Sequence, residues 1–244
     1  MMLFRLAIRE LLRSVKPASI LEAPPFPAAY AAAIGSPEEI DTAADALARV
    51  RQMYHRSGTA VGTPPRPRVI ASWERCRAHG VDPSRKVLPI RADLRERRAA
   101  NERVLCAAND VVTDLSGQFV GTGHVIVVAD PEGTILELVG DLDTQRRLAK
   151  NAFAQAGDMS EEAIGTNAIG TAIADQRPIQ LLGAEHYSEA GLDLACTAAP
   201  IYDPTSREIV GVLDITGPYQ LVRPQLIGIV MEAALEIEEK LALL

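Results

Sequence analysis

Three cysteines, two histidines beside strand-like runs and one glycine-flanked polar pair are the residues of this 244-residue chain whose types could carry chemistry. Cys76, Cys106 and Cys196 lie far apart, and no two are spaced as the attacking and resolving thiols of a redox cycle would be. His124 and His186 could join Cys196 around a metal, but their positions match no zinc spacing, so hydrogen-bonded polar groups are the simpler reading. There is no Gly-x4-Gly-Lys-Ser/Thr phosphate loop, no Gly-x-Ser-x-Gly nucleophile elbow and no paired-carboxylate signature. The densest chemistry is in residues 161–187, EEAIGTNAIGTAIADQRPIQLLGAEHY, where Gly165 and Gly170 bracket Thr166 and Asn167. Glycines let a backbone approach something closely, either another element or a ligand. Tight helix–sheet packing is the plainer of the two.

The elements that must position this stretch follow from pattern. Pro178 lacks an N–H and cannot sit inside a helix. The spacing therefore predicts a helix over 166–175, capped by Thr166 or Ser160, and a strand over 178–182. Upstream, HVIVVAD and TILELVG flank Asp130-Pro131-Glu132-Gly133, a type I turn, and predict a hairpin over 124–140. A helix over 141–157 would end at Gly157. Residues 192–202 and 208–216 form a second hairpin about a turn at 203–206. Residues 224–244 close the chain as a helix with Leu226, Ile229, Val230, Ala233, Leu235, Ile237, Leu241 and Leu244 on its apolar side.

Ahead of the sheet the chain reads as helical. Residues 1–16 form an amphipathic helix with Arg5, Arg9 and Arg13 in one stripe, suited to docking or to a membrane surface. An Ala/Pro-rich linker follows, then a helix capped by Ser36 and running to about residue 55. A third helix, 69–79, carries Trp73, the lone tryptophan, as its anchor, with Gly80 as its stop. A long helix over 92–117 holds Cys106 as a buried small hydrophobe. The expected class is α+β, one antiparallel sheet flanked by helices and preceded by an N-terminal helical region. The expected organisation is an amphipathic helix (1–16), a linker and helix (17–67), a helical lead-in (68–117) and a sensory domain with its C-terminal helix (118–244).

Four blocks carry a resemblance, in order: IASWERCRAHGVDPSR (70–85), GTNAIGTAIADQRPIQLLGAEHY (165–187), CTAAPIYDP (196–204) and GVLDITGPY (211–219). Together they resemble the N-terminal sensory domain of acetoin-operon activators, bacterial enhancer-binding regulators that work with the sigma-54 factor. The resemblance covers about residues 68–240 and implies a GAF fold, a small-molecule sensing module in transcription control, without enzymatic activity. It places Thr166, Asn167, Ile169, His186, Cys196 and Asp214 near a pocket for a small neutral metabolite, acetoin-like hydroxyketones included. Asn167 and His186 would bind the oxygens. Met159 stands where the family usually has tryptophan, and Tyr187 where phenylalanine or tryptophan is common, so the pocket's shape departs from the pattern. The family's ATPase and helix-turn-helix domains have no counterpart in this sequence, which is a fragment or a stand-alone sensor. Two rivals stay open: a cysteine-based redox enzyme like the GAF proteins that reduce free methionine sulfoxide, and a pure protein-interaction module.

Composition sets the remaining bounds. Hydrophobic residues make up 48% and charged residues 23%, as in ordinary globular proteins, while aromatics at 4% leave the core to Ala, Val, Ile and Leu. An odd, scattered set of cysteines is no disulfide framework and points to a reducing cytoplasm. No apolar run reaches the ~20 residues of a membrane span, and no metal site or cofactor is recognisable. Residues 1–110 hold 18 Lys/Arg against 12 Asp/Glu, and residues 111–244 hold 7 against 20. The two halves could dock, or the basic one could meet nucleic acid; lacking a DNA-binding pattern, solvated helix faces are the simplest account. The partners expected are a small metabolite, a second copy pairing through the terminal helices in a homodimer, and a transcription-regulator partner.

Overall fold

Two apolar hairpins and the strand ahead of the second build one sheet. The computed structural model describes residues 37–60 and 65–244, with residues 37–40 as backbone only; the expected 1–16 helix, the linker and the Ser36 cap lie outside the described residues. The helices are α1 (Pro37–Ser57), α2 (Pro67–Ala78), α3 (Leu94–Ala100), α4 (Glu102–Gln118), α5 (Leu142–Ala149), α6 (Glu161–Ile164), α7 (Ala168–Asp175) and α8 (Leu226–Leu241). The strands are β1 (Val125–Ala129), β2 (Ile135–Gly140), β3 (Ile179–Leu182), β4 (Leu194–Tyr202) and β5 (Ile209–Pro218). They form a five-stranded sheet in the order β2-β1-β5-β4-β3, antiparallel at every pairing. This is the expected α+β class.

The first hairpin turns as its sequence dictates. Gly133 N–H donates to Asp130 O (3.0 Å), and the Asp130 carboxylate accepts from the backbone N–H groups of Glu132 and Thr134. Every residue of β1 is buried, because helices cover both faces of the sheet and no outward row is left to be polar. On one face Val125, Val127, Val212, Cys196 and Ala198 pack under α2 and α7 with Trp73 and Ile169. On the other, Ile126, Val128, Leu213 and Ile215 meet α4 and α8. Alternation along β5 therefore sorts Val212, Asp214 and Thr216 to the first face.

Several boundaries differ from expectation, each for a tertiary reason. The 141–157 helix stops at Ala149. Residues 151–158 instead pair with the chain around them: Leu88 N–H donates to Asn151 O, Ala156 N–H to Ile135 O, and Ile135 N–H to Gly157 O. Ala152 and Ala156 adopt left-handed φ values of 58° and 71° to make that path, and Phe153 is buried by it. The 92–117 helix is interrupted at Asn101, whose backbone N–H and side-chain amide both donate to Arg97 O. Cys106 is exposed on α4 rather than buried. The buried side of α8, from Leu226 through Val230 and Ile237 to Leu241, is spent on the chain's own sheet and α4, so it is not free to form a parallel bundle with a second copy. Nor are six of the described arginines of the basic half simply solvated. Arg66 pairs with Glu185, Arg68 with Asp175, Arg75 with Glu161, Arg91 with Asp158, Arg97 with Asp130 and Arg103 with Asp203. Residues 66–103 of the basic front half thus dock on the acidic back half.

Candidate functional site

The turn from α6 into α7 is held by one amide. Asn167 caps α7, its Oδ1 accepting from Gly170 N–H (2.9 Å), while its Nδ2 donates to Met159 O (2.7 Å) and Gly165 O (2.8 Å). Ser160 separately caps α6. The cap of α7 is therefore Asn167, not Thr166 or Ser160. The two glycines do what only glycine can. A Cβ at Gly170 would lie 2.5 Å from Met159 O, and Gly165, at φ +81°, would bring one 2.6 Å from Tyr187 Cβ. The plainer expectation, close packing, accounts for both.

Beneath this turn lies a cavity of about 20 Å³, room for a single water. Leu88, Phe153, Met159, Ile164 and Leu194 give it an apolar lining, with Thr166, Asn167, His186, Ser188 and Cys196 as the polar contributors. Of the residues expected around a pocket, the fold thus brings Thr166, Asn167, His186 and Cys196 to one cavity. Ile169 is buried in the core cluster on the same side of the sheet, and Asp214 lies on that face of β5 without lining the cavity. Met159, singled out by its departure from the family pattern, is a lining residue; Tyr187 instead packs on Gly165 and against the His55 ring. Leu88, Phe153 and Ser188 were not anticipated. They arrive on irregular segments that carry no periodicity.

The polar groups around the cavity are mostly committed to holding the walls. Thr166 Oγ1 sits 2.6 Å from Ser72 Oγ and 3.4 Å from Cys76 Sγ. Ser72 and Thr171 both donate to Glu161, which also takes both nitrogens of the Arg75 fork. This network fastens α2 to α6 and α7. A second one fastens the loop after β3. Glu185, fully buried, accepts from Arg66 and from Leu182 N–H, and Trp73 Nε1 donates to Glu185 O (2.8 Å). Arg51 on α1 donates to the carbonyls of Pro83, His186 and Tyr187.

Burial sets the charge states. His186 is depressed to about 4 by burial, with Arg51 acting in the same direction, so it is neutral. Asp214 is pushed up to about 7 by burial, against the help of the Thr216 side chain and the Thr197 backbone. Burial raises Cys76 to about 11 and Cys196 well above its ordinary value. Both are thiols rather than thiolates at neutral pH, and the thiolate is the reactive form. That disfavours the redox reading. His124 sits apart, against Phe119, Gly217 and Thr122. Among the described residues no three His, Cys, Asp or Glu side chains are grouped to hold a metal ion, and no helix is long and apolar enough to cross a membrane.

Residues 42–239 match the family profile described as MimR, N-terminal domain. The chain is 32% identical over 202 residues to the propane 2-monooxygenase operon transcriptional activator MimR of Mycolicibacterium smegmatis, covering 82% of this chain and 34% of that protein. It is 30% identical over 181 residues to the acetoin dehydrogenase operon transcriptional activator AcoR of Bacillus subtilis, covering 72% of this chain and 30% of that one. The chain thus spans about a third of the length of these curated relatives. In the crystal structure of the E. coli DhaR(N)–DhaL complex, one chain superposes with a TM-score of 0.67 at 18% identity, covering 72% of this chain and 61% of that one. This likeness identifies the fold as the GAF-like one.

Proposed function

The chain belongs to the MimR N-terminal domain family, whose curated relatives regulate transcription, and on that premise we propose that it senses a small neutral metabolite in the cavity beneath the α6–α7 turn. The observation that carries the reading is the link from cavity to outer helices. The loop that brings His186 to the cavity is the one whose carbonyls are gripped by Arg51 of α1 and Trp73 of α2. A ligand that displaced this loop would shift those helices, and it would bias the protein only by its different affinity for the two positions. Acetoin-like hydroxyketones fit the apolar lining and suit a relative named for an acetoin operon. Association as a homodimer and engagement of a transcription-regulator partner in the cytoplasm belong to the same proposal. Pairing would use outward surfaces such as that of the exposed Leu235.

A second reading is favoured by the cavity's size. With room for about one water, the domain would serve as an interaction module, and the similarly folded DhaR N-terminal region is indeed named in a complex with another protein. Native mass spectrometry of the purified protein, before and after denaturation, tests the two. A released small molecule supports sensing. An empty protein whose melting temperature does not respond to small neutral metabolites, acetoin among them, refutes it in favour of the interaction module.

A further inference from the structure

His186 Nδ1 lies 2.9 Å from Gly183 O. A carbonyl oxygen only accepts, so Nδ1 must carry the ring proton, and in a neutral imidazole that leaves Nε2 as a bare acceptor. That Nε2 is buried and has no partner among the described residues, and His186 lines the cavity. The ring is held in place from several sides. It rests on Gly191, where a Cβ would come within 2.4 Å of the imidazole Cγ, while Arg51 grips the backbone carbonyl of the same residue. The other anticipated recognition groups are already occupied: the Asn167 amide makes three bonds within its own turn, and the Thr166 hydroxyl meets Ser72 and Cys76. Among the described residues no Lys or Arg lines the cavity.

Resting on the sensing reading above, we propose that the ligand is a small neutral alcohol whose hydroxyl donates to His186 Nε2. An anion would be buried without a counter-charge. A plain ketone brings no donor and would leave Nε2 unpaired. A hydroxyl satisfies Nε2, and a short hydrocarbon remainder packs on Leu88, Met159 and Leu194. Admission requires the lining to yield. Met159 is unbranched and adaptable, and Phe153 rides on the irregular segment that contains the left-handed Ala152 and Ala156. Asn167 is a positioning residue for the cavity roof, not a ligand contact.

The test uses the full chain labelled with 15N-histidine, titrated with secondary alcohols of about three to six carbons and with the matching ketones. Long-range 1H–15N correlation is expected to show His186 Nε2 unprotonated in the free protein and shifted by the alcohols. The alcohols should bind about tenfold more tightly than the ketones, the value of one hydrogen bond, and His186→Phe should abolish that preference. An Nε2 that already carries the proton, or ketones that bind as tightly as alcohols, overturns the hydroxyl assignment and leaves small-molecule sensing standing. If neither series perturbs any cavity residue, sensing at this cavity fails and the assignment fails with it.

Discussion

Replacing Asp214 with asparagine should flatten one limb of the protein's stability–pH curve. Asp214 sits on the central strand β5 with 1% of its surface exposed. Its Oδ2 accepts from Thr216 Oγ1 (2.6 Å), and the Thr197 backbone gives the carboxylate a smaller second help. Burial raises it from an ordinary 3.8 to about 7. The sign follows from proton counting. Between these two values the unfolded chain has lost the proton and the folded chain still holds it, so folding takes up a proton and stability falls as pH rises. Above about 7 both states are ionised and the loss levels off. At about 1.36 kcal/mol per pH unit, the full cost is about 4 kcal/mol, of which about 3 kcal/mol should develop between about pH 5 and pH 8. Asp214→Asn keeps the shape of the neutral acid and does not titrate. Urea unfolding of both proteins across that range should show the variant's advantage growing by about 3 kcal/mol. The difference between the two proteins cancels His55 and His186, both depressed to about 4, whose neutral burial acts the other way and is lost as pH falls below their unfolded value of 6.5. A difference independent of pH would refute the reasoning: the carboxyl would then be solvated or already ionised in the folded state.

Three further outcomes are expected. Asn167→Leu removes a helix cap and leaves the Met159 and Gly165 carbonyls without their donor; it should cost about 2–4 kcal/mol in denaturant unfolding, and a loss below about 0.5 kcal/mol would show the turn is held otherwise. Gly170→Ala would place a methyl 2.5 Å from Met159 O, so it should lower stability by more than the usual point substitution, about 3 kcal/mol or more; a melting temperature equal to the parent's would contradict this packing. Arg51→Ala frees the carbonyls of His186 and Tyr187 and should speed amide hydrogen exchange around residues 183–191 while leaving β1 and β5 protected; uniform acceleration would mean the grip is global, not local.

Much of the sheet was legible because its information is local. Asp130 through Gly133 specify their own turn, and the β-branched runs on either side have nowhere to go but into a hairpin. The helix breaks were less legible. Nothing in the run from Leu142 to Gly157 announces that Leu88, Ile90 and Ile135 will claim its backbone groups, since those partners come from distant segments. The candidate site divides the same way. Gly165, Asn167 and Gly170 stand out in sequence, but as a turn that glycine and a side-chain cap must build. Whether Asn167 had an amide to spare for a ligand depended on where the Met159 carbonyl lay.

The sequence by itself determined the class of fold, the family and the two hairpins, because hydrophobic alternation, turn chemistry and ordered motifs act over a few residues. Only the tertiary structure decided which side chains are spent and which remain. It buried the Asp214 carboxyl in the sheet, paired six described arginines of the front half with the back half's carboxylates, turned the apolar side of α8 onto its own sheet and left His186 Nε2 bare, among the described residues, beside a cavity. The reason is physical: burial and hydrogen-bond satisfaction depend on what packs against a group from elsewhere in the chain, and spacing along the chain does not encode it.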